Sequence, residues 1–355
     1  MEAERLNSFI GNGSLSIVDA MEKIDSNNNR ILFVEDDEHK LIGTLSDGDI
    51  RRWLMNSGEL IAPISEAMNS TPLYLHINNK SEAVRLMKEK RITAIPILNE
   101  EGIIEDIVLL NDEYHEVKGD LSRTPVVVMA GGKGTRLYPY TKILPKPLVP
   151  IGDTPIVERI INYYTEFGVR SFYMTVNYKK AMIRSYFDEV ERDYSIKYVE
   201  EDKPLGTGGS IKLIKDKFDC PLFITNCDAL ILADYYDIYQ YHLKSGNDIT
   251  MVSALKNFQV PYGVMHIGDN GILESMEEKP KLSYFINTGM YIINPNTIQL
   301  IPDDTMFHMT HLVDKVMKQG GKVGTYPVSE DSFLDMGELD GMKRMEEKLH
   351  IVSKE

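Results

Sequence analysis

The stretch that decides the reading runs Met129-Ala130-Gly131-Gly132-Lys133-Gly134-Thr135-Arg136-Leu137, with Pro145-Lys146-Pro147 a short distance on. It follows Val126-Val127-Val128, an apolar run that predicts a buried strand. Three glycines let backbone N–H groups approach a phosphate chain closely, so Ala130, Gly131, Gly132, Gly134, Thr135 and Arg136 are candidate nucleotide contacts. Between Leu121 and Gly152 there are five Lys/Arg residues and no Asp or Glu. In a chain of formal net charge −15 that local imbalance calls for a polyanion. A P-loop is excluded because no Gly-Lys-Ser/Thr closes the glycine run. The dinucleotide fingerprint is excluded because Lys133-Gly134-Thr135 breaks its spacing. The plainer alternative is a glycine-rich turn flanked by solvated surface bases.

The chain has 355 residues, comfortable for two domains, and 43% apolar content supports ordinary packed cores. Residues 1–123 hold 13 Lys/Arg against 23 Asp/Glu, so the acidity concentrates there and the phosphate-handling part is nearer balance. The overall acidity argues against non-specific nucleic-acid binding. Two cysteines make neither a disulfide framework nor a zinc pattern, and a reduced cytoplasm is the expected setting. The opening Met1-Glu2-Ala3-Glu4-Arg5 is acidic and is not expected to act as a secretory leader, and no run approaches membrane-spanning length.

Working outward, the first 120 residues repeat with an offset of 63. Asp19-Ala20 matches Glu82-Ala83, and the strand-like Ile31-Leu32-Phe33-Val34 matches Ala94-Ile95-Pro96-Ile97. Each unit reads helix, strand, strand, helix and buries too little surface alone, so the two are expected to pack together. The expected layout is a repeat pair over 1–118 (about 1–60 and 61–118), a linker over 119–124 and a larger domain over 125–355. In that domain strands and helices alternate. Strands are expected at 126–129, 171–176, 196–199, 222–226, 249–255 and 291–293, and helices at 156–167 and 182–192. This predicts a mixed, mostly parallel α/β sheet with its ligand beyond the carboxyl ends of the strands.

The Met129–Pro150 motif closely resembles the opening motif of the sugar-1-phosphate nucleotidyltransferases. The resemblance implies a Rossmann-like, GT-A-like domain and assigns roles in order along the chain. Gly131 to Arg136 would bind the nucleoside triphosphate and Lys146 would stabilise departing pyrophosphate. Asp228, after Leu222-Phe223-Ile224-Thr225-Asn226-Cys227, and the late Asp335 in Phe333-Leu334-Asp335-Met336-Gly337 would hold Mg²⁺. Cys227 stands where the family commonly has glycine. Gly206, Thr207 and Gly208 would meet the nucleobase. Gly263, Glu278, Lys279, Asn287 and Gly289 would hold the sugar phosphate, and Arg136, Lys146, Asp228 and Lys279 form the expected catalytic set. Chemically, such transfer needs a triphosphate clamp, a metal, a grip on the attacking phosphate and a sugar pocket, with positioning and charge neutralisation supplying the catalysis.

The N-terminal repeat resembles a tandem pair of CBS domains (α+β). By that resemblance Ser46 and Asp49 would bind an adenine nucleotide. The second repeat departs, with Leu109 opposite Ser46 and Asp106 opposite Gly43, and only Asp112 surviving opposite Asp49. The alternative is that Ser46-Asp47-Gly48-Asp49 is a turn and helix cap.

The resemblance is to CBS-fused guanylyltransferases of bacterial surface-sugar pathways. It implies Mg²⁺-dependent formation of an NDP-sugar and pyrophosphate from a nucleoside triphosphate, GTP favoured, and glucosamine 1-phosphate or a related sugar 1-phosphate. It also implies a cytoplasmic homo-oligomer, with no nucleic-acid or membrane partner. Thymidylyl, cytidylyl or uridylyl transfer is the alternative within the enzymes, and a non-catalytic nucleotide-sensing regulator the alternative outside them.

Overall fold

A computed structural model of the chain describes residues 6–27, 30–56, 58–90, 92–110, 119–189, 191–337 and 339–349. The chain divides into two compact units, residues 1–117 with 327–331, and residues 118–326 with 332–355. Residues 111–118, directly before the expected linker and including Asp112, lie outside the described residues.

In the smaller unit, β1 (Ile10–Asn12), α1 (Ile17–Asn27), β2 (Ile31–Glu35), β3 (Leu41–Ser46) and α2 (Asp47–Met55) precede β4 (Leu75–His76), α3 (Ala83–Lys90), β5 (Ala94–Leu98) and β6 (Ile104–Leu109). The strands form two three-stranded sheets, β1-β2-β3 and β4-β5-β6. The register Ile31↔Ser46 recurs as Ala94↔Leu109, an offset of 63 at each position. A short parallel leading strand opens each repeat, an element that two or three residues are too few to announce by alternation. Phe9 and Phe33 share one buried cluster with Ala94, Leu98, Ile104 and Ile107, which is how two half-sized sheets complete each other's core.

The larger unit is built on a seven-stranded sheet of order β11-β10-β7-β12-β17-β14-β18. Its elements are β7 (Val126–Met129), α4 (Tyr140–Ile143), the small pair β8 (Pro150–Ile151) and β9 (Thr154–Pro155), α5 (Ile156–Thr165), β10 (Ser171–Val176), α6 (Lys180–Asp188) and β11 (Ser195–Glu200). Then come α7 (Gly206–Gly209), β12 (Leu222–Asn226), β13 (Ala229–Ile231), α8 (Tyr235–Ser245) and β14 (Ile249–Gln259). The chain continues through β15 (Val264–Ile267), β16 (Leu273–Glu277), β17 (Lys281–Ile293), α9 (Met309–Lys318), β18 (Val323–Val328), β19 (Phe333–Asp335) and α10 (Leu339–Lys348).

Strands β11, β10, β7 and β12 are parallel, and β17 joins antiparallel. The chain leaves β7 toward β10 and returns on its other side as β12, so a crevice opens between their carboxyl ends, the place where such sheets bind ligands. Val126, Val127 and Val128 are fully buried, as strands covered on both faces require. One face packs Tyr164, Phe223 and Tyr235 edge-to-face and tilted. Strand β17 is longer than the expected 291–293: with β14 it extends into an antiparallel ribbon, and the segment between the two strands forms a separate two-stranded sheet of β15 and β16. Its outer residues are polar or exposed, so no alternating core face marks them in the sequence.

His242 on α8 is buried, its Nδ1 2.9 Å from Thr250 Oγ1 and its Nε2 3.1 Å from Asn294 Oδ1. Asn294 accepts from Nε2–H, and Thr250 donates to Nδ1 while accepting from Asn247. The neutral ring is thus satisfied at both nitrogens without carrying a charge into the core. Burial accordingly holds this imidazole below its ordinary value. The unfolded chain then binds the extra proton, so stability is lost as pH falls through about 6.5. Urea unfolding of wild type is expected to weaken from pH 7.5 to 5. His242→Gln should flatten that slope at a cost of about 1–3 kcal/mol at pH 7.5; an unchanged slope contradicts this.

Candidate active site

A cavity of about 360 Å³ occupies the crevice beyond β7 and β12. Met129 and Asn226, the last residues of those strands, form its floor, with Gly131, Gly132, Gly134, Thr135, Arg136, Lys146, Gly206, Thr207 and Asp228 around it. Residues separated by almost a hundred positions therefore meet because two adjacent strands deliver both loops to one edge.

Two glycines of the first loop make close approaches, and Gly134 is the one that its backbone conformation requires. A Cβ on Gly131 would stand 2.6 Å from Glu201 Oε1. Gly134 has φ +64°, and a Cβ there would lie 2.8 Å from that of Lys146. Its carbonyl accepts from Thr141 Oγ1 at 2.7 Å, which folds the loop down toward the Pro145-Lys146-Pro147 turn. Ala130 corrects one expectation: its amide donates to Thr175 O at 3.0 Å, so it extends the sheet and does not face the cavity.

Lys146 pairs with Asp228, both side chains about nine-tenths buried. Asp228 lies between β12 and β13, and its carbonyl accepts from Met336 N at 2.9 Å. Strand β13 pairs with β19 so that Ala229 faces Asp335. Thus Asp335 comes beside Asp228, though the two are 107 positions apart in sequence. Its Oδ1 accepts from Gly337 N at 2.8 Å. The carboxyl is pushed above its ordinary value by burial and then by the Asp228 charge. Arg136 makes no ion pair among the described residues, and a Cβ on Gly337 would stand 3.4 Å from its guanidinium. The Cys227 thiol, buried beside Asp228, is pushed up to about 12 by burial and then by that charge, which makes it inert as a nucleophile.

The Gly206–Gly209 loop, expected to meet the nucleobase, is held from behind. Gly206 has φ +77° and lines the cavity with Thr207. Gly208 does not: its amide donates to Phe307 O at 2.8 Å and its surface is buried. Thr207 Oγ1 accepts from Met309 N at 3.1 Å, so its hydroxyl anchors α9. The sugar-side residues fall into two sets. Gly289, at φ +81°, lies so close to cavity-lining Asn226 that a Cβ would be 2.3 Å from its amide. Asn287 bonds Tyr291 OH at 2.6 Å and accepts from Gly289 N at 3.0 Å. Gly263 faces Glu278, and Lys279 stands exposed at φ +49° on the turn into β17; this set lies on the ribbon and does not line the cavity. In the smaller unit Ser46 and Asp49 form a reciprocal cap of α2, with Ser46 Oγ 2.6 Å from Asp49 Oδ2 and Arg52 on the other oxygen. Both side chains take part in the cap.

Sequence reading missed Glu201, Asn226 and His308, all cavity-lining. Glu201 is 6% exposed, its Oε2 accepts from Leu205 N at 3.1 Å, and Oε1 faces Gly131. Its fixed place five residues before Gly206 was the available signal; beside Asp202 and Lys203 it resembles part of a solvated charge run. Burial raises its carboxyl above the ordinary value. The native state thus holds the proton more tightly, and stability falls as pH rises from about 4.5 through the raised value. Glu201→Gln should be at least as stable as wild type at pH 7.5, with the gap closing below about pH 4.5; urea melts showing a variant equally weakened at both pH values contradict this.

Comparison with known proteins agrees with the geometry. The nucleotidyl transferase family model matches residues 125–350, and the CBS domain model matches residues 12–56. Mannose-1-phosphate guanyltransferase from Debaryomyces hansenii is 34% identical over 184 residues, 49% of this chain and 51% of that protein. The enzyme of that name from Saccharomyces cerevisiae is 33% identical over the same shares. The chain spans about half the length of the curated relatives it matches. The crystal structure of HddC from Yersinia pseudotuberculosis is 27% identical, covers 64% of this chain and 99% of its own, and superposes with a TM-score of 0.50. The chain belongs to the nucleotidyl transferase family, with a CBS domain in its N-terminal part.

Proposed function

We propose that the protein is a sugar-1-phosphate guanylyltransferase. An oxygen of the sugar 1-phosphate attacks the α-phosphorus of GTP. A new P–O bond forms, the bond to the bridging oxygen breaks, and pyrophosphate departs. The observation that carries this reading is the convergence of the Gly131–Arg136 loop, Lys146 and Asp228 on one cavity. Arg136 grips phosphate oxygens in a fork and Lys146 neutralises charge growing on the leaving pyrophosphate. Asn287, Gly289 and, from the ribbon, Glu278 and Lys279 would hold the acceptor.

The paired carboxylates fit a divalent cation. Asp335 lies close enough to Asp228 for that charge to raise its carboxyl, and hard oxygen donors suit Mg²⁺. Bound there, Mg²⁺ would supply charge neutralisation to the reacting phosphates.

Guanine is favoured by Glu201. An ionised carboxylate only accepts, and among the common bases guanine alone offers two adjacent donors, N1–H and N2–H. Adenine and cytosine present a ring-nitrogen acceptor in that place, and uracil and thymine flank their single N–H with carbonyls. The guanyltransferase names of the relatives support the same nucleotide, and they move mannose 1-phosphate ahead of glucosamine 1-phosphate as the acceptor to try first.

Pyrophosphate release tests this across GTP, ATP, CTP, UTP and dTTP, crossed with mannose, glucosamine, glucose and heptose 1-phosphates. GTP should be the productive donor. Asp228→Asn should abolish turnover in folded protein, and Lys146→Met should lower kcat about 10²–10³-fold. Full activity in the Asp228→Asn variant, or a donor other than GTP, contradicts the assignment.

A further inference from the structure

Segment 307–309 is tied to the base-side loop at both of its ends. Phe307 N donates to Leu205 O at 2.8 Å, Gly208 N and Gly209 N both donate to Phe307 O at 2.8 and 2.9 Å, and Met309 N donates to Thr207 Oγ1 at 3.1 Å. Two stretches a hundred residues apart thus form one rigid wall. His308 sits in the middle of that wall, its side chain exposed and lining the cavity. Its ring lies against Gly206, where a Cβ would stand 3.0 Å from Nδ1 and 3.1 Å from Cε1. Gly206 therefore keeps both its left-handed turn and the absence of a side chain, and the imidazole reaches the cavity past it. The ring is steadied on its other side by His311, 5.3 Å away and tilted by 63°, and the His308 amide donates to His311 Nδ1 at 3.2 Å.

Glu201 and His308 flank the same Leu205–Thr207 turn, the first bonded to Leu205 N and the second packed on Gly206. One offers only acceptors, while an imidazole carries an N–H donor in either protonation state. This pairing is complementary to guanine, whose O6 acceptor adjoins N1–H and whose N7 acceptor lies beyond it. We infer that His308 is a specificity-determining residue that donates a hydrogen bond to the O6 edge of guanine, opposite the contact made by Glu201. The inference rests on the guanylyl reading and adds to it a second, independent reader of the base. Adenine, with an amino group at the O6 position, would then meet a donor at His308 and an acceptor clash at Glu201.

Titration calorimetry of the full chain with GTP and 6-thio-GTP, in the presence of Mg²⁺ and without acceptor, tests it. The thio analogue keeps N1–H and N2–H for Glu201 but replaces O6 by a poor acceptor. Wild type should bind GTP about tenfold more tightly than 6-thio-GTP. His308→Ala should bind GTP about tenfold more weakly and lose the preference, whereas His308→Gln, which keeps a donor, should restore part of it. His308→Ala that retains the full GTP preference, or that weakens both nucleotides by one factor, overturns the assignment. Wild type that binds GTP no better than ATP or CTP overturns the guanylyl reading itself and the inference with it. Because the side chain is exposed, unchanged melting temperatures are expected in both variants; a loss of folding in His308→Ala leaves His308→Gln to decide by the same ratio.

Discussion

The site depends on the side-by-side alignment of β7 and β12. Their register, Val126↔Phe223 to Met129↔Asn226, brings two carboxyl ends level. From those ends come the glycine loop and the Asn226-Cys227-Asp228 turn, so the backbone amides proposed for phosphate and the carboxylate proposed for the metal share one edge. That alignment is enforced by burial. A strand reading Val-Val-Val-Met between parallel neighbours on both sides has no solvent face, and a slip by one residue would bring polar Thr225 and Asn226 out of place.

Charge is then placed on this frame with little freedom. Lys146 and Asp228 are both about nine-tenths buried, so each holds the other's charge in a low-dielectric setting. Removing one partner leaves an uncompensated buried charge. Asp335 is brought in by a separate two-stranded pairing, β13 with β19, rather than by the main sheet. A triphosphate with its cation would enter a site whose positive and negative groups already face one another, so little reorganisation is needed at the moment of transfer.

Much of this was legible in the sequence because its signals are local. Strands β10 and β12 begin and end where apolar runs and their polar boundaries put them, and the offset of 63 repeats as one register in two small sheets. The glycine loop announced itself by composition. What was not legible depends on contacts across long separations. Nothing near His308 indicates that it will be bonded alongside residues 205–209. Glu201 looks like a surface acid until Leu205 N and Gly131 enclose it. Gly208 and Ala130 belong to the two loops whose neighbouring residues line the cavity, yet their amides are claimed by Phe307 and Thr175, a division of backbone donors that spacing does not reveal. Ser46 and Asp49 show the reverse: a spacing suited to a ligand is equally suited to a capping box, and the side chains form the latter.

The most direct measurement of the central claim is a crystal structure with a non-hydrolysable GTP analogue and Mn²⁺. The account predicts phosphates on the Gly131–Thr135 amides beside Arg136 and Lys146, and the Watson–Crick edge of guanine on Glu201. It also predicts an anomalous peak between Asp228 and Asp335. A nucleotide bound elsewhere, a base turned away from Glu201, or a metal peak remote from both carboxylates would contradict it.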